Sequence, residues 1–142
     1  MKHKGDKISS EREQNLIQKL RQWQSVEDEA MQMTREIQFQ TENPLIRLVM
    51  EIIAHDSAMH RRVQQFIIDS IEKKQVRLPS EDFQNFRHII EKHAERERSA
   101  IAMAEKAKEG VDLFVPQYLF SYLLEDERKH DLLLDRFEEI NM

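Results

Sequence analysis

Apolar and small residues recur in alternating steps of three and four along four long segments of this sequence, a spacing that places them on one face of an α-helix. The chain contains only two glycines and three prolines, so little interrupts such helices. The pattern predicts an all-α protein and disfavours a sheet. In the first segment, from about residue 10 to residue 40, the predicted stripe is Leu16, Leu20, Trp23, Ala30, Thr34 and Ile37.

Residues that start or stop helices separate the four segments: Asn43, Pro44, Ser80, Gly110 and Pro116. Serine caps helix N-termini, proline is tolerated in a first turn, and glycine is a common C-terminal stop. Amphipathic helices joined by short links in this way predict a four-helix bundle built from two helical hairpins.

The predicted bundle is a single domain over residues 10–142, after a flexible N-terminal tail of residues 1–9. The connection between the second and third helices stays open. If the second helix ends near Ser70, the twelve residues that follow could form a long crossover only when almost straight. If it continues to Lys74, a simple up-down-up-down order follows.

Charged residues interrupt the predicted core stripes. A carboxylate buried alone would be protonated or would cost on the order of several kcal/mol, so buried acids need partners. Several such residues at one level of a bundle are more simply explained by a bound cation than by separate ion pairs. The residues at these positions are Glu27, His60, His93, Glu97, Glu127 and His130.

The sequence also predicts an internal repeat with an offset of seventy residues. One constant shift aligns both predicted helix pairs, and in each copy a glutamate precedes a histidine by 33 residues. Two hairpins related in this way would bring their polar positions together as one shared layer. The matching positions are Glu27 with Glu97, Ser57 with Glu127, and His60 with His130.

The residue types in this layer favour a transition metal. Glu127 and His130 are three residues apart, so both side chains project from one helix face. Carboxylate oxygen and neutral imidazole nitrogen together suit iron, manganese or zinc, whereas calcium prefers oxygen alone. A lone glutamate from each of two helices and Glu-x-x-His from each of the other two is a known ligand plan of dimetal bundles.

Residues 12–138 therefore resemble the ferritin-like superfamily, in particular its small rubrerythrin-like and bacterioferritin-like domains. The resemblance implies an iron centre of two ions, with manganese or zinc as alternatives, at which oxygen or peroxide reacts. It further implies a role in iron handling or oxidative-stress protection, through oxidation of Fe(II), reduction of peroxide or storage of iron. The residues that carry the resemblance, and that would bind the metal, are Glu27, His60, Glu97, Glu127 and His130.

Ser57 departs from this plan, because the resemblance implies a bridging glutamate at that position. Three outcomes stay open: a dimetal site with fewer protein ligands, a site for one metal ion, or a remnant that binds none. His93 lies one turn before Glu97 and is the residue best placed to compensate. A hemerythrin-like site would also use the pair His93 and Glu97, but further His-x-x-x-Glu or His-x-x-x-His elements do not follow.

The sequence also allows a function without metal, and it indicates which partners and which cellular location to expect. The alternative function is a metal-free helical interaction or regulatory module whose polar layer only fixes helix register. The net charge is −5, and acidic and basic residues alternate along the chain, so we expect no face with charge of one sign. This pattern argues against nucleic-acid binding. The chain has no cysteine and no apolar run long enough for a membrane span, so we expect a cytoplasmic protein. Long amphipathic helices favour a homodimer or a higher homo-oligomer, a cage included.

Overall fold

The computed structural model describes residues 4–73 and 80–140 of the chain. All regular secondary structure in these residues is helical, which confirms the all-α prediction. The four helices are α1 (Lys4–Gln40), α2 (Pro44–Lys73), α3 (Ser80–Glu109) and α4 (Phe114–Ile140). None of the helices in the described ranges is both long enough and apolar enough to cross a membrane.

The helix boundaries agree with the sequence prediction at most ends. The exception is the start of α1, which begins at Lys4 rather than near Ser10, so the helix includes part of the predicted tail. Residues 1–3 lie outside the described residues. The same is true of residues 74–79, which contain the link between α2 and α3, and the choice between a crossover and an up-down-up-down order stays a prediction.

The chain divides into two compact units, Met1–Val76 and Arg77–Met142. The first unit is a hairpin in which α1 packs against α2, and the second is a hairpin in which α3 packs against α4. Each helical hairpin predicted from the sequence is therefore present.

Short polar contacts form the turns inside the hairpins. The Asn43 side chain caps α2, because its Oδ1 accepts hydrogen bonds from the backbone N–H groups of Leu45 (3.0 Å) and Ile46 (3.2 Å). Gly110 follows the last residue of α3, and its N–H donates to the carbonyl oxygen of Ala107 at 3.2 Å. Both residues act where the sequence predicted a helix start and a helix stop.

The α1–α2 hairpin has a small apolar core with a polar layer beside it. Ile17 and Leu20 pack with the fully buried Ile68. One further step along α1, the Gln24 amide Nε2 donates to Gln65 Oε1 (3.1 Å) and to the carbonyl oxygen of Arg61 (3.3 Å). These hydrogen bonds join polar groups and help to fix the register of α1 against α2.

The apolar stripe predicted for α1 agrees only in part with the line along which the helices meet. Leu20 and Thr34 of that stripe are buried, whereas Trp23, also predicted in the stripe, is 55% exposed. The buried line of α1 also includes Gln24 and Glu27, neither of which is apolar. The physical reason is that a hairpin contact covers a seam narrower than the wide apolar face of an amphipathic helix, so residues at the edge of that face stay exposed.

Candidate metal centre

Three potential metal ligands meet in the α3–α4 hairpin. Glu97 on α3 and the pair Glu127 and His130 on α4 each offer one ligand atom, and these atoms lie within 4.8 Å of one another. The two α4 residues are one helical turn apart and therefore reach the same point on α3. Sequence analysis predicted all three residues, and the structure places them together.

Glu97 is the buried member of the cluster, with 8% of its surface exposed. Its Oε1 lies 3.1 Å from His93 Nε2 and 3.6 Å from His130 Nδ1. Its Oε2 is buried and has no hydrogen-bond donor from an N–H or hydroxyl group. A buried carboxylate oxygen in this state needs either a proton on a neighbouring carboxyl or a cation.

The two carboxyl groups influence each other's protonation. The hydrogen bond with Glu127 lowers the pKa of Glu97, and His130 and His93 lower it further, although burial acts in the opposite direction. The same hydrogen bond raises the pKa of Glu127, with burial and the charge of Glu97 adding to the effect. The two carboxyl groups therefore titrate as a pair in which Glu127 binds a proton more readily than Glu97.

Asp126 orients His130 from the side opposite to the cluster. His130 directs Nδ1 toward Glu97 and, at 4.0 Å, toward Glu127, while its Nε2 lies 3.5 Å from Asp126 Oδ2. A carboxylate that accepts the second ring N–H fixes the tautomer and leaves the other nitrogen free to bind metal. Sequence analysis missed this role, although the spacing of four residues between Asp126 and His130 was a signal for it.

The spacing of the three ligand atoms is close to what a metal ion requires. Metal–ligand bonds to nitrogen and carboxylate oxygen are about 2.0–2.2 Å long, so donors on opposite sides of one ion lie roughly 4.2 Å apart. The observed limit of 4.8 Å is larger by less than one ångström. Small rotations of the partly exposed Glu127 and His130 side chains would close that difference.

His93 lies beside the cluster but outside the group of three. It contacts Glu97 through Nε2, and its side chain is 59% exposed. The contact satisfies the same Glu97 oxygen, Oε1, that faces His130. The prediction that His93 compensates for Ser57 stays a prediction.

The α1–α2 hairpin repeats part of this geometry. Glu27 is buried, and its Oε1 lies 3.6 Å from His60 Nδ1, which is the same separation as that between Glu97 and His130. Ser57 is also buried, with 6% of its surface exposed, but its hydroxyl carries no charge. Within residues 4–73 and 80–140, no second group of three ligands meets the spacing of the α3–α4 cluster.

A second pair of positions strengthens the likeness between the hairpins. Arg61 Nε lies 2.9 Å from Asp28 Oδ1 in the first hairpin. In the second hairpin, Arg98 Nη1 lies 3.8 Å from Asp131 Oδ1. These positions are again related by seventy residues, with the basic and acidic residues exchanged between the helices. Two cross-helix contacts thus recur at one sequence offset.

Comparison with known proteins does not assign the chain to a family: no protein-family model matches it, and no curated protein or solved structure matches it significantly. The likeness to the ferritin-like superfamily therefore stays a prediction from the five residues that suggested it.

Proposed function

We propose that the α3–α4 hairpin binds a divalent transition metal through Glu97, Glu127 and His130. The observation that supports this most directly is the buried Oε2 of Glu97, which lacks a donor within a cluster that offers three ligand atoms. Without a cation, the neighbouring carboxyl group of Glu127 is the nearest group in the cluster that could supply a proton to that oxygen. A divalent ion would replace the proton and compensate both carboxylate charges.

The ligand types narrow the choice of metal. Two carboxylate oxygens and one imidazole nitrogen suit Fe(II), Mn(II) and Zn(II), because thiolates are absent and an all-oxygen calcium sphere is not offered. Asp126 supports this choice, since it contacts His130 at Nε2 while Nδ1 faces the two carboxyl groups. We take iron as the metal of the proposal because of the resemblance to ferritin-like domains.

The role proposed for the site is iron handling or protection against oxidative stress, in a reducing cytoplasm. Iron would supply one-electron chemistry with oxygen or peroxide. The chain's own residues would bind the ion, keep one side of it away from water through the buried Glu97, and accept or release a proton at Glu127. A likeness of each hairpin to one half of a ferritin-like bundle belongs to the same proposal, supported by the recurring contacts of Glu27 with His60 and Glu97 with His130.

A metal-free interaction module is the second candidate. It is favoured by the α1–α2 hairpin, where Ser57 carries no charge and the hydrogen bond from Gln24 to Gln65 fixes helix register without an ion. If this function extends to α3–α4, Glu97 and Glu127 would act only as a carboxyl pair that aligns the two helices.

Metal analysis of protein purified without chelator separates these functions. We expect bound iron, manganese or zinc in the native chain and a loss of at least tenfold in the Glu97→Gln variant. The matched control is Glu95→Gln, an exposed acid two residues away on α3, which should retain the metal. Equal metal content in the native chain and in Glu97→Gln would reject the proposal.

A further inference from the structure

We propose that two copies of this chain join through their α3–α4 hairpins, so that each contributes Glu97, Glu127 and His130 to one centre for two metal ions. This inference rests on the proposed metal site and adds to it a partner, namely a second copy of the chain. It also gives a reason why one hairpin carries all three ligands while the other lacks one.

The numbers of ligands and charges in one α3–α4 hairpin favour pairing with a second copy of that hairpin. One α3–α4 hairpin supplies two carboxylates and one imidazole, which is half of the six-ligand plan of a two-metal bundle site. Two copies supply four carboxylates, enough to neutralise two divalent ions. The α1–α2 hairpin supplies only Glu27 and His60, because Ser57 occupies the position that corresponds to Glu127. A second α3–α4 hairpin is therefore the better complement.

The ligands differ in exposure, and the difference leaves one side of the cluster open to a partner. Glu97 is buried by the hairpin itself, whereas the side chain of His130 is 45% exposed and that of Glu127 is 28% exposed. The cluster is thus closed on one side and open on the other. A centre that uses only these three residues would leave the remaining metal positions to water, whereas a second hairpin laid over the open side would fill them with protein ligands.

Two exposed apolar residues lie along the helices to either side of the cluster. Phe86 lies eleven residues before Glu97, just over three full turns, and so is on a similar side of α3 roughly 16 Å away. Leu123 lies one turn before Glu127 on α4. Both are large apolar side chains that remain 57% and 47% exposed, and a second hairpin laid along these helices would cover them.

A dimer with a twofold axis would supply the missing ligands and cover the open side of each cluster through the same contact. In an isologous dimer each residue meets its symmetry-related region, so the open side of one cluster faces the open side of the other. The Glu97, Glu127 and His130 side chains of each copy would then hold one ion of the pair. The apolar residues of both copies would then surround the centre.

Cobalt(II) provides a direct test, because it replaces iron or zinc at such sites and gives a visible absorption band. We expect one Co(II) per chain and a loaded molar mass of twice the 17.1 kDa chain mass by light scattering. The double variant Glu27→Gln with His60→Ala should keep both properties. Circular dichroism of each variant verifies that the helices are retained.

The outcomes distinguish the inference from the proposed function. A Co(II)-loaded monomer, or loss of Co(II) from the Glu27→Gln with His60→Ala variant, would overturn the dimer, since either result assigns the centre to a single chain. Absence of Co(II) binding by the native chain, or binding that Glu97→Gln leaves intact, would instead reject the metal site itself.

Discussion

Glu97 Oε1 and His130 Nδ1 lie 3.6 Å apart between α3 and α4, one residue buried and the other partly exposed. The distance is longer than that of a strong charge-assisted hydrogen bond, which is about 2.7–2.9 Å. The two groups are therefore near neighbours that leave room for an ion between them.

We expect the Glu127→Gln substitution to stabilise the metal-free protein while it weakens metal binding. A Gln amide can donate to the Glu97 carboxylate at any pH, as a protonated Glu127 carboxyl does at low pH, and it removes the repulsion between two ionised acids. The gain in the free energy of unfolding should be about 1 kcal/mol or less, the usual net value of one hydrogen bond. Urea unfolding in the presence of a chelator measures the stability, and a Co(II) titration measures the affinity.

The control for this variant is Glu125→Gln, which changes a 75% exposed acid two residues away on α4. It should alter neither the metal affinity nor the stability by more than a few tenths of a kcal/mol. If Glu127→Gln destabilised the metal-free protein as well, the two carboxyls would not compete for one proton, and the description of the pair would be wrong.

The stability of the metal-free chain should pass through a maximum with pH because of this pair. The lowered pKa of Glu97 contributes stability that is present above its ordinary value of 4.5 and is lost as the pH falls through the lowered pKa. The raised pKa of Glu127 contributes stability that is fully present below 4.5 and is lost as the pH rises through the raised pKa. His93 and His130 also contact Glu97, and Asp126 contacts His130.

Bound metal should offset the loss of stability on the alkaline side of this maximum. Binding removes the proton from Glu127, so metal affinity rises with pH until the raised pKa is passed. Thermal unfolding with and without Zn(II), followed across that range, should show that the stabilisation by metal increases with pH. A metal effect that does not change with pH would contradict a proton held on Glu127.

Much of the fold could be predicted from the sequence, because its signals are local. Asn43 and Gly110 act at the turns where their residue types indicate a cap and a stop. The three ligands in α3–α4 were predicted as well, since charged residues on an apolar stripe need a reason to be there. Local spacing also places Glu127 and His130 on one face, whatever their environment.

The packing of each hairpin could not be predicted in the same way. The seam of α1 follows Gln24 and Glu27, because a pairwise helix contact selects a narrow line and hydrogen bonds can occupy it as well as apolar side chains. Hydropathy instead favoured Trp23, which is exposed. Asp126 was missed for a related reason: a residue that acts by orienting His130 lies beside the stripe and does not interrupt it.

Ile68 should be the apolar residue whose truncation costs the α1–α2 hairpin most. It is fully buried between the helices and packs with Ile17 and Leu20. The Ile68→Ala substitution removes these contacts and leaves a cavity, so we expect a loss of about 2–4 kcal/mol in the free energy of unfolding. The neighbouring Ile67 is 38% exposed, and Ile67→Ala should cost clearly less. Equal losses in chemical denaturation would show that Ile68 is not the centre of this core.

Asp126→Asn should weaken metal binding without removing a ligand. Asp126 Oδ2 lies 3.5 Å from His130 Nε2, so the substitution removes the negative charge that holds the ring with Nδ1 toward Glu97. Loss of such an outer partner typically costs about 10–100-fold in metal affinity. Asp126 also pairs with Lys129 at 3.3 Å, and Lys129→Gln is the matched control because it removes that pair and keeps the carboxylate. Co(II) titrations of the two variants should differ by at least tenfold. Equal affinities would mean that Asp126 acts only through its surface ion pair, and that His130 is oriented by Glu97 and Glu127 alone.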